Sequence, residues 1–109
     1  MRPQREFQRL PRRVNCEVAV AGRAHVGVAT GLSPGGLFVQ TTAPPAVGDV
    51  IEITLHAAEG RDVVLRGRVA NRRVPPRGMG RVVPSGLGLT IGKTPPAEYL
   101  ELLRTLGYV

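Results

Sequence analysis

Two groups of residues in this chain have the types and spacing to do chemistry. Arg9-Leu10-Pro11-Arg12-Arg13 sets Arg9 and Arg13 four residues apart, and further along Gly31-Leu32-Ser33-Pro34-Gly35-Gly36 encloses a serine in a glycine-bracketed turn. A guanidinium offers a planar fork of donors that matches phosphate oxygens and the O6/N7 edge of guanine. The Ser33 hydroxyl can donate or accept, and Gly31, Gly35 and Gly36 give the backbone freedom to turn and to approach a neighbour closely. Arg9 and Arg13 are the first candidates for holding an anion. Arg12 and Arg5 are alternates, because the register of a terminal arm is not fixed by one sequence.

Other chemistries find little support. His25 and His56 are far apart, and neither has an evident Ser, Cys or carboxylate partner in sequence. Asp49 and Asp62 both stand beside turns, and the chain carries neither a phosphate-cradling P-loop nor a metal-ligand signature. Cys16 is the only cysteine, so no intrachain disulfide forms and no cysteine-based zinc site is indicated; its place in an apolar alternation reads as core. The expectation is a binding domain with no enzymatic activity, no metal and no resident cofactor.

The elements that must position these residues follow from the pattern. Val14 to Val20 alternates strictly, with Val14, Cys16, Val18 and Val20 on one face. A second strand runs from His25 to Thr30, and Ser33-Pro34-Gly35-Gly36 turns it into a third, Leu37 to Thr41. Val50 to Leu55 is the fourth strand, with Ile51, Ile53 and Leu55 sharing a face. Val63 to Val74 is the fifth, with Val63, Leu65, Gly67 and Val69 inward, and Gly67 is read as a bend. On the same strand Arg66, Arg68 and Arg72 alternate in phase and are expected to share an exposed face. After the basic, Gly/Pro-rich loop from Pro75 to Pro84, Gly86 to Ile91 is the sixth strand. The period then changes: Thr94 can cap a helix beginning at Pro95-Pro96, with Glu98 near its positive end. Tyr99, Leu102, Leu103 and Leu106 form its apolar stripe, and Gly107 is its stop. This helix is expected to pack on the barrel or cover one open end.

The fold class is therefore all-β with a C-terminal helix: a six-stranded antiparallel β-barrel. At 109 residues the chain suits one domain, divided into an Arg-rich arm, 1–13, read as flexible, and a barrel, 14–109, with its helix over about 95–106. Net charge is +7, from 15 basic against 8 acidic residues, which suits anionic partners. All the basic residues but Lys93 are arginine, so part of this charge reflects compositional bias. No signal peptide is visible and no apolar run approaches membrane-spanning length, so a cytoplasmic location without a membrane span is expected. Nucleic acid is not favoured as a partner: single-strand binding calls for stacking aromatics, and the chain has only Phe7, Phe38, Tyr99 and Tyr108.

The arrangement of an RxxxR segment followed by a [D/N]xSxxG turn resembles the PilZ family. Arg9 and Arg13 match the first motif, and Ser33 and Gly36 match the second residue by residue. Gly31 departs from it, standing where the family has Asp or Asn. The resemblance implies the same barrel fold and a ligand, the bacterial second messenger cyclic di-GMP. It implies that Arg9 and Arg13 reach over the barrel to hold phosphates and guanine edges while Ser33 and Gly36 contact the ligand. With one domain in the chain, the signal would pass in trans to an unidentified effector protein, in motility, attachment or exopolysaccharide control. Without a side chain at Gly31, one hydrogen bond to the ligand is lost, at a cost of ~1–3 kcal/mol or roughly tenfold to a hundredfold in affinity. Thr30 next to it carries a hydroxyl that can partly substitute. The alternative is a degenerate PilZ-like adaptor that acts through protein contacts without binding cyclic di-GMP.

Overall fold

In the computed structural model, which describes residues 12–78 and 85–108, six strands close into a barrel with neighbour order β1-β2-β3-β6-β5-β4. The strands are β1 (Val14–Val20), β2 (Arg23–Ser33), β3 (Gly36–Gln40), β4 (Val50–His56), β5 (Asp62–Arg73) and β6 (Gly86–Thr90), followed by one helix, α1 (Ala97–Thr105). Every pairing is antiparallel, and because the sheet closes on itself each of these six strands has a partner on both sides. The expected fold class is the observed one. Most of the proposed arm, up to residue 11, lies outside the described residues, as does Arg9.

Period-2 alternation builds the wall formed by β1, β4 and β5. Val14, Cys16 and Val18 point inward on β1, Ile51, Ile53 and Leu55 on β4, and Val63, Leu65 and Val69 on β5. Their registers run without slips, from Cys16 opposite Leu55 to Ile53 opposite Leu65. Gly67 keeps this register, paired with Ile51, without a bulge. The irregularity comes two residues later, as a bulge between Val69 and Asn71. One extra residue reverses which side chains face out. Arg72 accordingly falls opposite the buried Leu87, and Arg73 falls opposite Gly86. The expected common face of Arg66, Arg68 and Arg72 is thus broken, and Arg73 continues the outward phase.

The second strand is longer than its alternation suggested, because Gly31 carries it past Thr30. Gly31 has φ 59°, in the left-handed region, at a register shift between Thr30 and Ser33 in the β2–β3 pairing. The chain can therefore stay paired up to Ser33 opposite Gly36 before it turns.

The helix begins later than expected and has a different cap. Each residue that precedes a proline is held extended, and Pro96 itself has ψ 147°, so helical geometry starts only at Ala97. Pro96 is the N-cap without a side-chain hydrogen bond, and Thr94 does not cap the helix. Glu98 does occupy the first turn and Arg104 the last. At the other end Gly107 has φ 107°, its N–H donates to Arg104 O (3.1 Å), and the Tyr108 N–H donates to Leu103 O (2.8 Å). That pair of bonds is a Schellman closure, which only a residue free to adopt positive φ completes cheaply. Tyr99, Leu102 and Leu103 are buried and Leu106 packs against them. The stripe closes the barrel end where β1 begins, β2 turns into β3, and β4 turns into β5.

Candidate functional site

The hairpin at residues 31–36 is held by contacts within the protein. Ser33 is 3% exposed, and its Oγ donates to Gly36 O at 3.2 Å. From α1, the Tyr99 hydroxyl donates to Ser33 O at 2.7 Å and also lies 3.4 Å from Gly36 O. Ser33 and Tyr99 hydroxyls thus converge on one carbonyl of the turn, in a buried setting where unmade hydrogen bonds are costly. Gly35 O accepts from the Ile91 N–H at 2.9 Å, which fixes the turn to the chain leaving β6.

Gly36 is required by its neighbour strand. A Cβ at this position would overlap the Leu89 carbonyl oxygen of β6, so the pairing of Gly36 with Thr90 excludes any side chain. The close approach read from the sequence is real, and the group approached is the backbone of β6. Gly31 precedes this turn on β2, and its left-handed φ is one that Asp and Asn also tolerate.

The arginines reach the same end of the barrel. Val14 pairs with Ala29, so Arg13 enters β1 beside Thr30 and Gly31, and its side chain is exposed while Val14 points inward. Arg12 turns to the helix: its Nη2 lies 3.9 Å from where a Cβ on Gly107 would stand. A cation there complements the negative end of the helix dipole. The structure therefore brings Arg12, Arg13, Gly31, Ser33, Gly35 and Gly36 to one barrel end, while Arg9 lies outside the described residues.

On the β4 side of Arg13 a groove of about 440 Å³ opens between Asn15, His56, Asp62, Glu98 and Thr105. His56 Nδ1 lies 3.1 Å from Asp62 Oδ1, and Nε2 lies 3.9 Å from Glu17 Oε2. Its lining sets Arg13 and Arg61 against Asp62 and Glu98, a balanced set with no excess of positive charge for a dianion. The β2–β3 side of Arg13 has Thr30, the Gly31 backbone and Phe38, which is directly opposite Thr30. Along β5, Arg68 is engaged within the protein, its Nη1 donating to Gly48 O at 3.0 Å.

Sequence reasoning missed the partners of three residues here. Tyr99 was legible only as a stripe position, since its hydroxyl partner is 66 residues away. Phe38 and Arg73 form a cation–π pair, with Cζ 4.7 Å from the ring centroid. The bulge that points Arg73 outward left no mark in the alternation of charges.

A closed antiparallel barrel, sealed by a helix and bearing a glycine–serine hairpin beside a basic strand entry, defines a small-barrel domain with one polar, cationic rim. The chain belongs to the PilZ family, whose domain model matches residues 3–106. Among solved structures it is similar to the Bacillus subtilis inhibitor of motility MotI/DgrA, with TM-score 0.72 and 13% identity. That match covers 94% of this chain and 49% of the other. It is likewise similar to Escherichia coli YcgR solved in complex with c-di-GMP, with TM-score 0.69 and 15% identity, covering 94% of this chain and 44% of that one. The chain thus spans about half the length of these two proteins. No curated protein sequence matches it. Among the described residues there is no cluster of His, Cys, Asp or Glu that could hold a metal ion, and no helix is long and apolar enough to cross a membrane.

Proposed function

We propose that this chain is a cyclic di-GMP receptor domain that signals to a partner protein from the cytoplasm. The observation that carries the reading is the gathering of Arg13, Gly31, Ser33 and Gly36 at one barrel end within a PilZ domain. In this reading Arg9 and Arg13 supply guanidinium forks for the two phosphates and the guanine edges. Gly31 and Thr30 offer the backbone and a hydroxyl beside them. Ser33 and Gly36 act mainly by holding the hairpin in shape, since the Ser33 hydroxyl is buried on Gly36 O. Ordering of the arginine segment over the ligand changes the surface that a partner meets. Similarity to a motility inhibitor and to a c-di-GMP-bound protein makes motility control the process we favour.

A second reading, a PilZ adaptor that works without nucleotide, is favoured by the missing side chain at Gly31 and the internally used Ser33. Calorimetric titration separates the two. Cyclic di-GMP is added to the protein and to an Arg9→Ala/Arg13→Ala variant, with GTP and cyclic di-AMP as controls. Micromolar binding that disappears in the variant is the expected result. Absence of heat at high ligand concentration would overturn the receptor reading and leave the adaptor.

A further inference from the structure

Where β3, β6 and β5 meet, the outer wall of the barrel carries a feature that no structural need of the core explains. The Phe38 ring reaches over Gly86 with Cζ and Cε2, in the space a Cβ would fill. Over that ring sits the Arg73 guanidinium, 4.7 Å from its centroid. Beside it the Asn71 amide covers Gly88, with Nδ2 and Oδ1 each 2.7 Å from where a Cβ would stand. Arg73 and Asn71 are both exposed, and among the described residues Arg73 makes no ion pair.

This patch is continuous with the motif hairpin. Thr30 pairs with Phe38, Phe38 with Gly88, and Gly88 with Asn71, in one cross-strand row. At about 4.8 Å per strand the row is roughly 14 Å long. One end of it adjoins Gly31 and the entry of Arg13 into β1. Gly86 and Gly88 leave the space in which the Phe38 ring and the Asn71 amide lie.

We propose that Arg73, Phe38 and Asn71 form a base-recognition subsite for a guanine of the ligand. The inference rests on the cyclic di-GMP reading and extends it to residues outside both motif segments. The guanidinium lies over Phe38 on one side, and its exposed side receives the purine. Arg is weakly hydrated and stacks readily on aromatic planes, so a base can add to the pile at little desolvation cost. The Asn71 amide, carrying both donor and acceptor, reads the purine edge. Phosphates would then lie toward Arg13, along the row.

Charge alone predicts something different, and this makes the test sharp. Calorimetric Kd values for cyclic di-GMP are measured for the wild-type protein, Arg73→Gln, Phe38→Leu and Arg72→Gln, with thermal melts of each. Arg72→Gln removes the same charge from the adjacent position. We expect Arg73→Gln to weaken binding about tenfold or more, Phe38→Leu to weaken it comparably with the melt retained, and Arg72→Gln to change it less than about threefold. Equal losses in the two arginine variants would reduce the effect to bulk electrostatics and overturn the subsite. Unchanged binding in Arg73→Gln, with the wild type still binding, would overturn the subsite and leave the receptor standing. A wild type that binds neither cyclic di-GMP nor millimolar GMP would overturn both.

Discussion

Strands β1, β4 and β5 hold the barrel together with Val14, Cys16, Val18, Ile51, Ile53, Leu55, Val63 and Leu65, each buried and each alternating with a less buried neighbour. Strands β2, β3 and β6 carry glycine at 27, 31, 36, 86 and 88. On the first wall, stability comes from apolar area, which is forgiving as long as volume is kept. On the second, backbone and flat side chains approach where a Cβ would stand: Leu89 O at Gly36, Phe38 at Gly86, Asn71 at Gly88. The difference teaches where this fold has room to bind something. A wall stripped of side chains presents backbone groups and ring faces, and the motif hairpin belongs to that wall.

Glycine substitutions test the contrast most severely. Gly36→Ala must push β6 away from β3 and is expected to cost about 3 kcal/mol, the upper end for overpacking. Its melting temperature should fall by roughly 12 °C or more. Gly67→Ala, on β5, meets Leu89 Cβ and Thr90 O at 3.4 Å and Ile53 Cδ1 at 3.6 Å, ordinary contacts, and should stay within about 1 kcal/mol of the parent. Similar losses at both positions would erase the distinction between the walls.

The apolar wall has its own signature in Cys16, 2% exposed on β1. Burial pushes its thiol from 9.0 up to about 11, against an opposing hydrogen bond with the Ala29 backbone and with a further push from Glu17. The folded protein keeps the proton while the unfolded chain releases it near pH 9. The resulting stability is present in full below pH 9 and lost as pH rises toward 11, about 2–3 kcal/mol in all. Denaturant melts of wild type and Cys16→Ala should show the wild-type advantage narrowing between pH 8 and pH 11. An unchanged gap would mean that the thiol is reached by water.

The smallest expected effect sharpens the binding side. Gly31→Asn keeps a left-handed backbone that asparagine tolerates and restores an amide beside Arg13. Cyclic di-GMP affinity should rise about tenfold, one hydrogen bond's worth, in the same titration. No gain would show that position 31 faces away from the ligand.

The two walls also differ in how much of them the sequence made legible. Alternation identified β1, β4 and β5 almost to the residue, because burial on one face leaves a period of 2 in residue type. It failed where the backbone itself sets the geometry. Gly31 looked like the end of a strand and is a bulge within one; the Val69–Asn71 slip transferred the outward position to Arg73; Pro95-Pro96 displaced the helix start from Thr94. The RxxxR and Ser-x-x-Gly pattern led correctly to the PilZ family and its fold. It did not disclose that the Ser33 hydroxyl is spent on Gly36 O, or that Tyr99 completes the hairpin, since both depend on contacts that close only in three dimensions.

That tyrosine bond ties the turn to the far end of the chain. The hairpin of residues 33–36 can turn early from local signals, but the carbonyl of Ser33 waits for a donor 66 positions later in the chain. Barrel closure is similarly remote, through β1 with β4 and β3 with β6. Contacts this distant in sequence place folding among the slower, millisecond-to-second reactions of small domains. Docking of α1 supplies the donor that locks the turn, and amide protection in residues 31–36 should rise together with protection in the helix.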